Sequence, residues 1–170
     1  MAYKDLRNFI EVLKKKGLLK RITAEVDPVL EIAEINDRVV KTGGSALFFE
    51  KPKNSKFPCV VNLFGSYERM KLALEVDSLD EIGLRMLEFL EPDIPTNLIE
   101  KLKTLPKLKR LADFLPKYVN SGPCKEVIFR ENLSLNVFPI LKTWPDDGGR
   151  FITLPMVFTK DPETGSRNCG

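Results

Sequence analysis

The sequence contains no histidine. That absence removes Ser-His-Asp and Cys-His nucleophilic machinery, HExxH zinc sites and any cage of two or three imidazoles. Cysteine is scarce: Cys59, Cys124 and Cys169 lie far apart and form no CxxC pair, so zinc-ribbon and thioredoxin-type motifs are missing too. Unpaired thiols suit a reducing cytosol better than a secretory route. No apolar run approaches the roughly 20 residues of a membrane helix, and the charged stretch Met1 to Asn8 does not read as a signal peptide. Neither GxGxxG nor a P-loop occurs. A dominant charge is lacking as well, since 27 basic and 24 acidic side chains leave only +3. That balance announces neither nucleic acid nor an anionic membrane. A soluble, cytoplasmic protein is the expectation.

What is present is the composition of an ordinary globular protein, 43% hydrophobic and 30% charged over 170 residues. That length holds one domain, or one and part of another. Leu6, Phe9, Ile10 and Leu13 fall on one face of a helix that ends at Gly17. Leu19 to Val26 reads as a strand. Asp27-Pro28 predicts an N-cap with proline at the first helical position. The helix it opens carries Ile32, Ile35, Val39 and Val40 and stops at Gly43-Gly44. Ala46 to Phe49 and Cys59 to Phe64 read as buried strands. Gly65-Ser66 starts a helix through Met70 and Leu74, and Ser78 with Glu81 forms a capping box for another through Ile82, Met86 and Leu90.

Glu91-Pro92-Asp93-Ile94-Pro95 breaks that helix, and Pro106 and Pro116 divide the next stretch into short pieces. Segment 101–118 is basic, with Lys101, Lys103, Lys107, Lys109, Arg110 and Lys117 against Asp113. With only Phe114 and Tyr118 nearby for stacking, it reads as a solvated helix face in a linker rather than a nucleic-acid surface. From about Glu126 the texture is β: Val127-Ile128-Phe129, Phe138 to Leu141, and the longer run Phe151 to Thr159. Asp161-Pro162-Glu163-Thr164-Gly165 is a turn, predicting a hairpin. A typical return strand runs about 5 or 6 residues, and only Ser166 to Gly170 remains for it. The boundaries expected are therefore an α/β domain over 1–95, a linker with short helices over 96–124, and the beginning of a second domain over 125–170. No repeat or low-complexity tract is present.

Several short motifs invite chemistry and carry plainer readings. Gly43-Gly44-Ser45 precedes a strand, so it is a helix-ending turn rather than a phosphate cradle. Gly65-Ser66 precedes a helix whose N-terminus suits an anion, but capping alone explains it. Asp146-Asp147-Gly148-Gly149 offers hard oxygens, yet it is ordinary turn chemistry. Cys169 as a nucleophile would need a base or cation, and Arg167 is the near candidate. Trp144, in Thr143-Trp144-Pro145, reads as a packing anchor, with the mouth of a ligand site as the alternative.

The C-terminal stretch FPILKTWPDDGGRFITLPMVFTKDPETGSRNCG is more specific. Through Pro139, Trp144-Pro145, Asp147, Gly149, Ile152-Thr153, Asp161-Pro162, Gly165 and Arg167-Asn168-x-Gly170 it resembles the UbiD-type decarboxylases. These are prenylated-flavin carboxy-lyases related to 3-polyprenyl-4-hydroxybenzoate decarboxylase of ubiquinone biosynthesis. The resemblance extends back through DLRNFIEVLKKKGLLKRITAEVDPVLEIAEINDRVVKTGG, ALFFEKP and VVNLFGSYERMKLAL.

What the resemblance implies is an α+β protein: an α/β N-terminal domain, then the start of a split β-barrel (flavin-reductase-like) cofactor domain. It implies prenylated FMN with a divalent ion, usually manganese, on the cofactor phosphate. Asn168 maps to a ligand of that ion, the carbonyl of Cys169 to a potassium ligand, and Gly170 to a cofactor contact. Thr153 sits on the strand entering the barrel and approaches the cofactor. A flavin prenyltransferase as cofactor supplier and a homo-oligomeric full-length enzyme are further implications. The family's catalytic arginine, its metal-binding histidine and glutamate and its proton-handling glutamates would fall beyond Gly170, so no catalytic residue is expected within the chain. The expectation is thus the first third of a carboxy-lyase acting reversibly on aromatic or α,β-unsaturated acids such as polyprenyl-hydroxybenzoate, inactive by itself. The alternative is a non-catalytic accessory subunit or interaction module of a multi-chain carboxylase.

Overall fold

The computed structural model describes residues 3–90, 119–131 and 133–170, with side chains of 88–90 left aside. The broken helix end at 91–95 and the basic segment 101–118 lie outside the described residues. The chain divides into two compact units, Met1–Glu75 with Ser134–Gly170, and Val76–Leu133.

In the first unit, α1 (Leu6–Lys15) begins at Asp5, whose carboxylate accepts the Asn8 N–H at 2.8 Å. It ends where Gly17 takes φ +71° and the Leu18 N–H reaches back to the Leu13 carbonyl at 2.8 Å. This is the left-handed closure that glycine makes easy. β1 (Leu19–Val26) comes next, with the bounds the sequence predicts. α2 (Glu31–Lys41) starts later than Asp27-Pro28 suggests. Its first helical residue is Glu31, Leu30 at φ 70° precedes it, and the N-cap makes no side-chain bond. The reason lies far along the chain. Lys142 pairs in parallel with Val29, its N–H donating to the Pro28 carbonyl at 3.2 Å and its carbonyl accepting the Leu30 N–H at 2.9 Å. That pairing keeps 28–30 out of the helix, while Asp27 accepts the Val29 N–H and Glu31 reaches back to the Asp27 N–H.

β2 (Ala46–Pro52) pairs in parallel with β1 and antiparallel with β3 (Cys59–Val61), giving the order β1-β2-β3. β2 outruns the expected Phe49, and β3 stops short of Phe64 because Asn62 takes φ 58°. The pleat puts alternate side chains on opposite faces. Leu47 and Phe49 join Val26 and Ile32 in one core cluster, flanked by Ile35, Val39 and Leu141. Ala46 joins Phe9 and Leu13 in the other, flanked by Tyr3, Leu72 and Ala73. α3 (Tyr67–Leu74), capped by Ser66, lies against this second cluster through Leu72 and Ala73.

Residues 134–142 belong to this unit through specific contacts. The Ser55 hydroxyl donates to the Val137 carbonyl at 2.9 Å, and the Phe57 and Phe138 rings stand 5.0 Å apart. Leu141 packs on the α2 side of the sheet and bridges to Phe151.

In the second unit, α4 (Asp80–Leu90) opens with Glu81 accepting the Ser78 N–H at 2.9 Å, the reciprocal half of a capping box. Val127-Ile128-Phe129, expected as a strand, forms none; all three side chains are exposed. Their apolar content promised a strand, but a strand exists only with a partner, and no described residue pairs with them.

Cys59 is partly buried on β3, and burial pushes its thiol up to about 11. Cys124 and Cys169 are exposed. At pH 8 a thiol-labelling reagent should therefore modify two cysteines rapidly and Cys59 far more slowly, since the thiolate is the reactive form. Peptide mapping after partial labelling reads the order directly.

Candidate functional site

The sequence-predicted residues Asn168, Cys169 and Gly170 fall on or beside a short antiparallel hairpin, whereas Thr153, expected on a strand, lies in the irregular stretch before it. β4 (Phe158–Lys160) pairs with β5 (Arg167–Cys169) in the register Phe158↔Cys169, Thr159↔Asn168, Lys160↔Arg167. Of the expected run Phe151 to Thr159, only its end is ladder; Ile152 to Val157 is irregular, with Leu154 at φ 55°. The turn is built by Asp161, whose Oδ1 accepts the Glu163 N–H at 2.8 Å and the Thr164 N–H at 2.7 Å. Gly165 closes it at φ +74°.

Those two N–H groups, Thr164's first, hold the Asp161 carboxyl below its ordinary 3.8. A carboxylate depressed in the folded state stabilises the turn above its ordinary pKa, and that contribution is lost as pH falls through the lowered value. Amide exchange at Glu163 and Thr164 should accordingly accelerate below pH 3.8 relative to Asp161→Asn, which has no charge to lose. Equal pH profiles for the two proteins would remove this role.

Along β5 the main chain alternates between bonded and open positions. Val157 and Gly170 exchange two bonds, at 2.8 and 3.1 Å, and the Asp161 N–H meets the Ser166 carbonyl at 2.8 Å. Between such pairs, an antiparallel ladder leaves every second residue with its N–H and C=O directed outward. Cys169, opposite Phe158, is one of these. Its carbonyl therefore lies on the free edge, whereas the main chain of Asn168 is used by Thr159. The Asn168 amide alternates to the opposite face of the ladder from the Cys169 and Arg167 side chains. Asn168, Cys169 and Gly170 are contiguous and exposed. Thr153, also exposed, is outside the ladder, and no described hydrogen bond joins it to these three.

The Asp146-Asp147 loop behaves as a turn. Asp147 Oδ2 accepts from Thr143 Oγ1 at 2.8 Å and from the Trp144 N–H at 2.9 Å, which hold its carboxyl below the usual range. Trp144 is exposed. Among the described residues no cluster of three or more Cys, Asp or Glu side chains is placed to hold a metal. A divalent ion takes about six oxygens, and on β5 the side chain of Asn168 and the carbonyl of Cys169 each offer one. Both are hard neutral oxygens of suitable chemistry.

Residues 10–86 match the model of the 3-octaprenyl-4-hydroxybenzoate carboxy-lyase N-terminal domain, and residues 117–170 match that of the Rift-related domain of the same enzymes. The chain belongs to the UbiD family. An uncharacterised protein of Archaeoglobus fulgidus is 53% identical over 170 residues, covering 100% of this chain and 34% of the relative. Among solved structures, an evolved dimeric form of the UbiD-class enzyme HmfF from Pelotomaculum thermopropionicum, in complex with prFMN, is similar with TM-score 0.70 and 30% identity. That match covers 98% of this chain and 34% of the other. The vanillic acid decarboxylase of Sedimentibacter hydroxybenzoicus in open form is similar with TM-score 0.70 and 28% identity, covering 99% of this chain and 33% of the other. The chain thus spans about a third of the length of these UbiD relatives.

At Gly65-Ser66, where the sequence suits an anion but capping suffices, Ser66 does cap α3, and Asn62 and Arg69, unmarked in the sequence, stand beside it. Arg69 is only 2% exposed. Burial lowers its pKa from the ordinary value, with Glu68 opposing the shift. Nothing in YERM distinguishes this arginine from a solvated one.

Proposed function

We propose that this UbiD-family chain is the N-terminal third of a carboxy-lyase that reversibly decarboxylates aromatic or α,β-unsaturated acids with prenylated FMN. The observation that carries the proposal is β5, where the Asn168 side chain and the outward carbonyl of Cys169 stand on consecutive residues. In this reading Asn168 would give its amide oxygen to a divalent ion, manganese, that accompanies the cofactor. The Cys169 carbonyl would take a potassium ion, the thiol having no role. Gly170 and Thr153 would line the cofactor, glycine because its lack of a side chain admits a close approach. β4 and β5 are then the first hairpin of a split barrel, the domain boundaries being 1–95, 96–124 and 125–170. The family likeness to a prFMN complex supports the cofactor.

Loss of carbon dioxide leaves an electron pair on carbon, and no side-chain set in this chain can store it. The bound flavin would supply that sink. The part of the chain's own residues would be to hold the ion beside the cofactor. They handle no proton, so the fragment alone is inactive. A flavin prenyltransferase would furnish the cofactor, and the complete cytoplasmic enzyme would be a homo-oligomer.

The test compares two proteins given prenylated FMN, manganese and potassium. The longer protein should release carbon dioxide from a panel of phenolic and cinnamate-like acids, and residues 1–170 should release none. Turnover by the short chain would overturn the fragment reading. A longer protein that retains the flavin but acts on no acid would overturn the lyase.

A further inference from the structure

Among the described residues, the Nε and Nη2 atoms of Arg69 are buried without a hydrogen-bond partner, as is Oδ1 of Asn62. Nε and Nη2 form the side-on edge of a guanidinium, two parallel donors whose spacing matches two oxygens of a carboxylate or phosphate. A buried, unsatisfied charged donor is expensive, so leaving a whole edge empty calls for an occupant.

The surroundings favour an anion. Arg69 lies in the first turn of α3, where Ser66 Oγ caps its N–H at 3.2 Å. The N–H groups ahead of it have no intrahelical acceptor, and the helix dipole places partial positive charge there. Gly65 stands immediately before the cap, and a Cβ built on it would lie 3.3 Å from Arg69 Nη2. The same Cβ would lie 1.7 Å from Asn62 Oδ1, so glycine is required here for space, its φ not being positive. Gly65 and Tyr67 are exposed, which leaves the approach to the guanidinium without a large side chain at Gly65. Two groups oppose an anion: Asn62 Oδ1, fixed as an acceptor because its Nδ2 donates to the Gly44 and Ser45 carbonyls at 3.1 and 3.0 Å, and the neighbouring Glu68.

We propose that the Arg69 side-on edge, Gly65 and the first turn of α3 form an oxyanion-binding site in the first unit, built from none of the β4–β5 residues. Its ligand is a carboxylate or a phosphate oxyanion presenting two oxygens to the guanidinium. The proposal is independent of the lyase reading.

The test is an NMR titration of the full chain with inorganic phosphate and, separately, acetate, following the Arg69 Nε–Hε signal. Arg38, already paired with Glu34, is the internal control. A saturable shift at Arg69 but not at Arg38 upholds the site. A response to both ions or to phosphate identifies a phosphoryl ligand as admissible, and a response to acetate alone restricts the site to carboxylates. Arg69→Lys should weaken binding about tenfold by losing the bidentate fork, and Arg69→Met should abolish it. If Arg69→Met does not fold, the wild-type titration decides alone. An Arg69 signal indifferent to both ions, or shifting in parallel with Arg38, overturns the site.

Discussion

Replacing Asn168 with alanine in the complete enzyme is expected to lower manganese affinity at least about a hundredfold and carbon dioxide release in step with it. Even partners one shell removed from a metal cost roughly 10- to 100-fold when lost, and a direct ligand should cost no less. The substitution leaves the hairpin itself intact, because Asn168 pairs with Thr159 through its main chain and its side chain is exposed. Flavin retention on a desalting column, with and without added manganese, separates a ligand from a packing residue. A ligand's loss is partly recovered at high manganese concentration, and Asn168→Asp should keep binding while changing the charge at the cofactor phosphate. Unchanged manganese dependence in Asn168→Ala would remove this residue from the metal site. Cys169→Ala should be almost silent, since its proposed ligand is a carbonyl that alanine also has.

Phe49→Ala is expected to destabilise the first unit by about 3–5 kcal/mol, the usual result for emptying a large aromatic from a core. Phe49 is 0% exposed and sits among Val26, Ile32 and Leu47, where α2 closes over the sheet. A loss of that size is comparable with the whole stability of a small domain, roughly 5–15 kcal/mol, so the variant should populate unfolded chain at room temperature. Leu141→Ala removes a half-buried side chain from the rim of the same cluster and should cost less, about 2 kcal/mol. Urea unfolding followed by far-UV circular dichroism gives both numbers. Leu141→Ala as costly as Phe49→Ala would mean that residues 134–142 complete this core rather than border it.

Much of the first unit is legible because its cues are local. The spacing of Leu6, Phe9 and Leu13 and the glycines at 17 and 43 each act within a few residues. The hairpin turn is equally local, with one aspartate and one glycine sufficient to specify it. Where sequence and structure part, a distant segment has intervened or failed to appear. Asp27-Pro28 carries an N-cap signature, yet Lys142 takes the main chain of 28–30 into a bridge and delays the helix. Val127 to Phe129 has strand composition without a strand neighbour among the described residues. The contiguity of Asn168, Cys169 and Gly170 is visible in sequence, whereas the outward direction of the Cys169 carbonyl needs the register with Phe158. Arg69 leaves no trace in the pattern, because its burial is decided by the loop around Asn62 and Gly65.

The pairing of Lys142 with Pro28 and Leu30 joins positions more than a hundred residues apart, with Val76–Leu133 spanning the interval. On a ribosome adding roughly 5–20 residues per second, the stretch behind α2 must wait several seconds for its partner to emerge. During that time the sheet can assemble from β1, α2 and β2, but the Pro28–Leu30 edge is open to any other strand. Synthesis order thus exposes one nascent edge for a defined interval, and a chaperone that grips extended backbone would find it there.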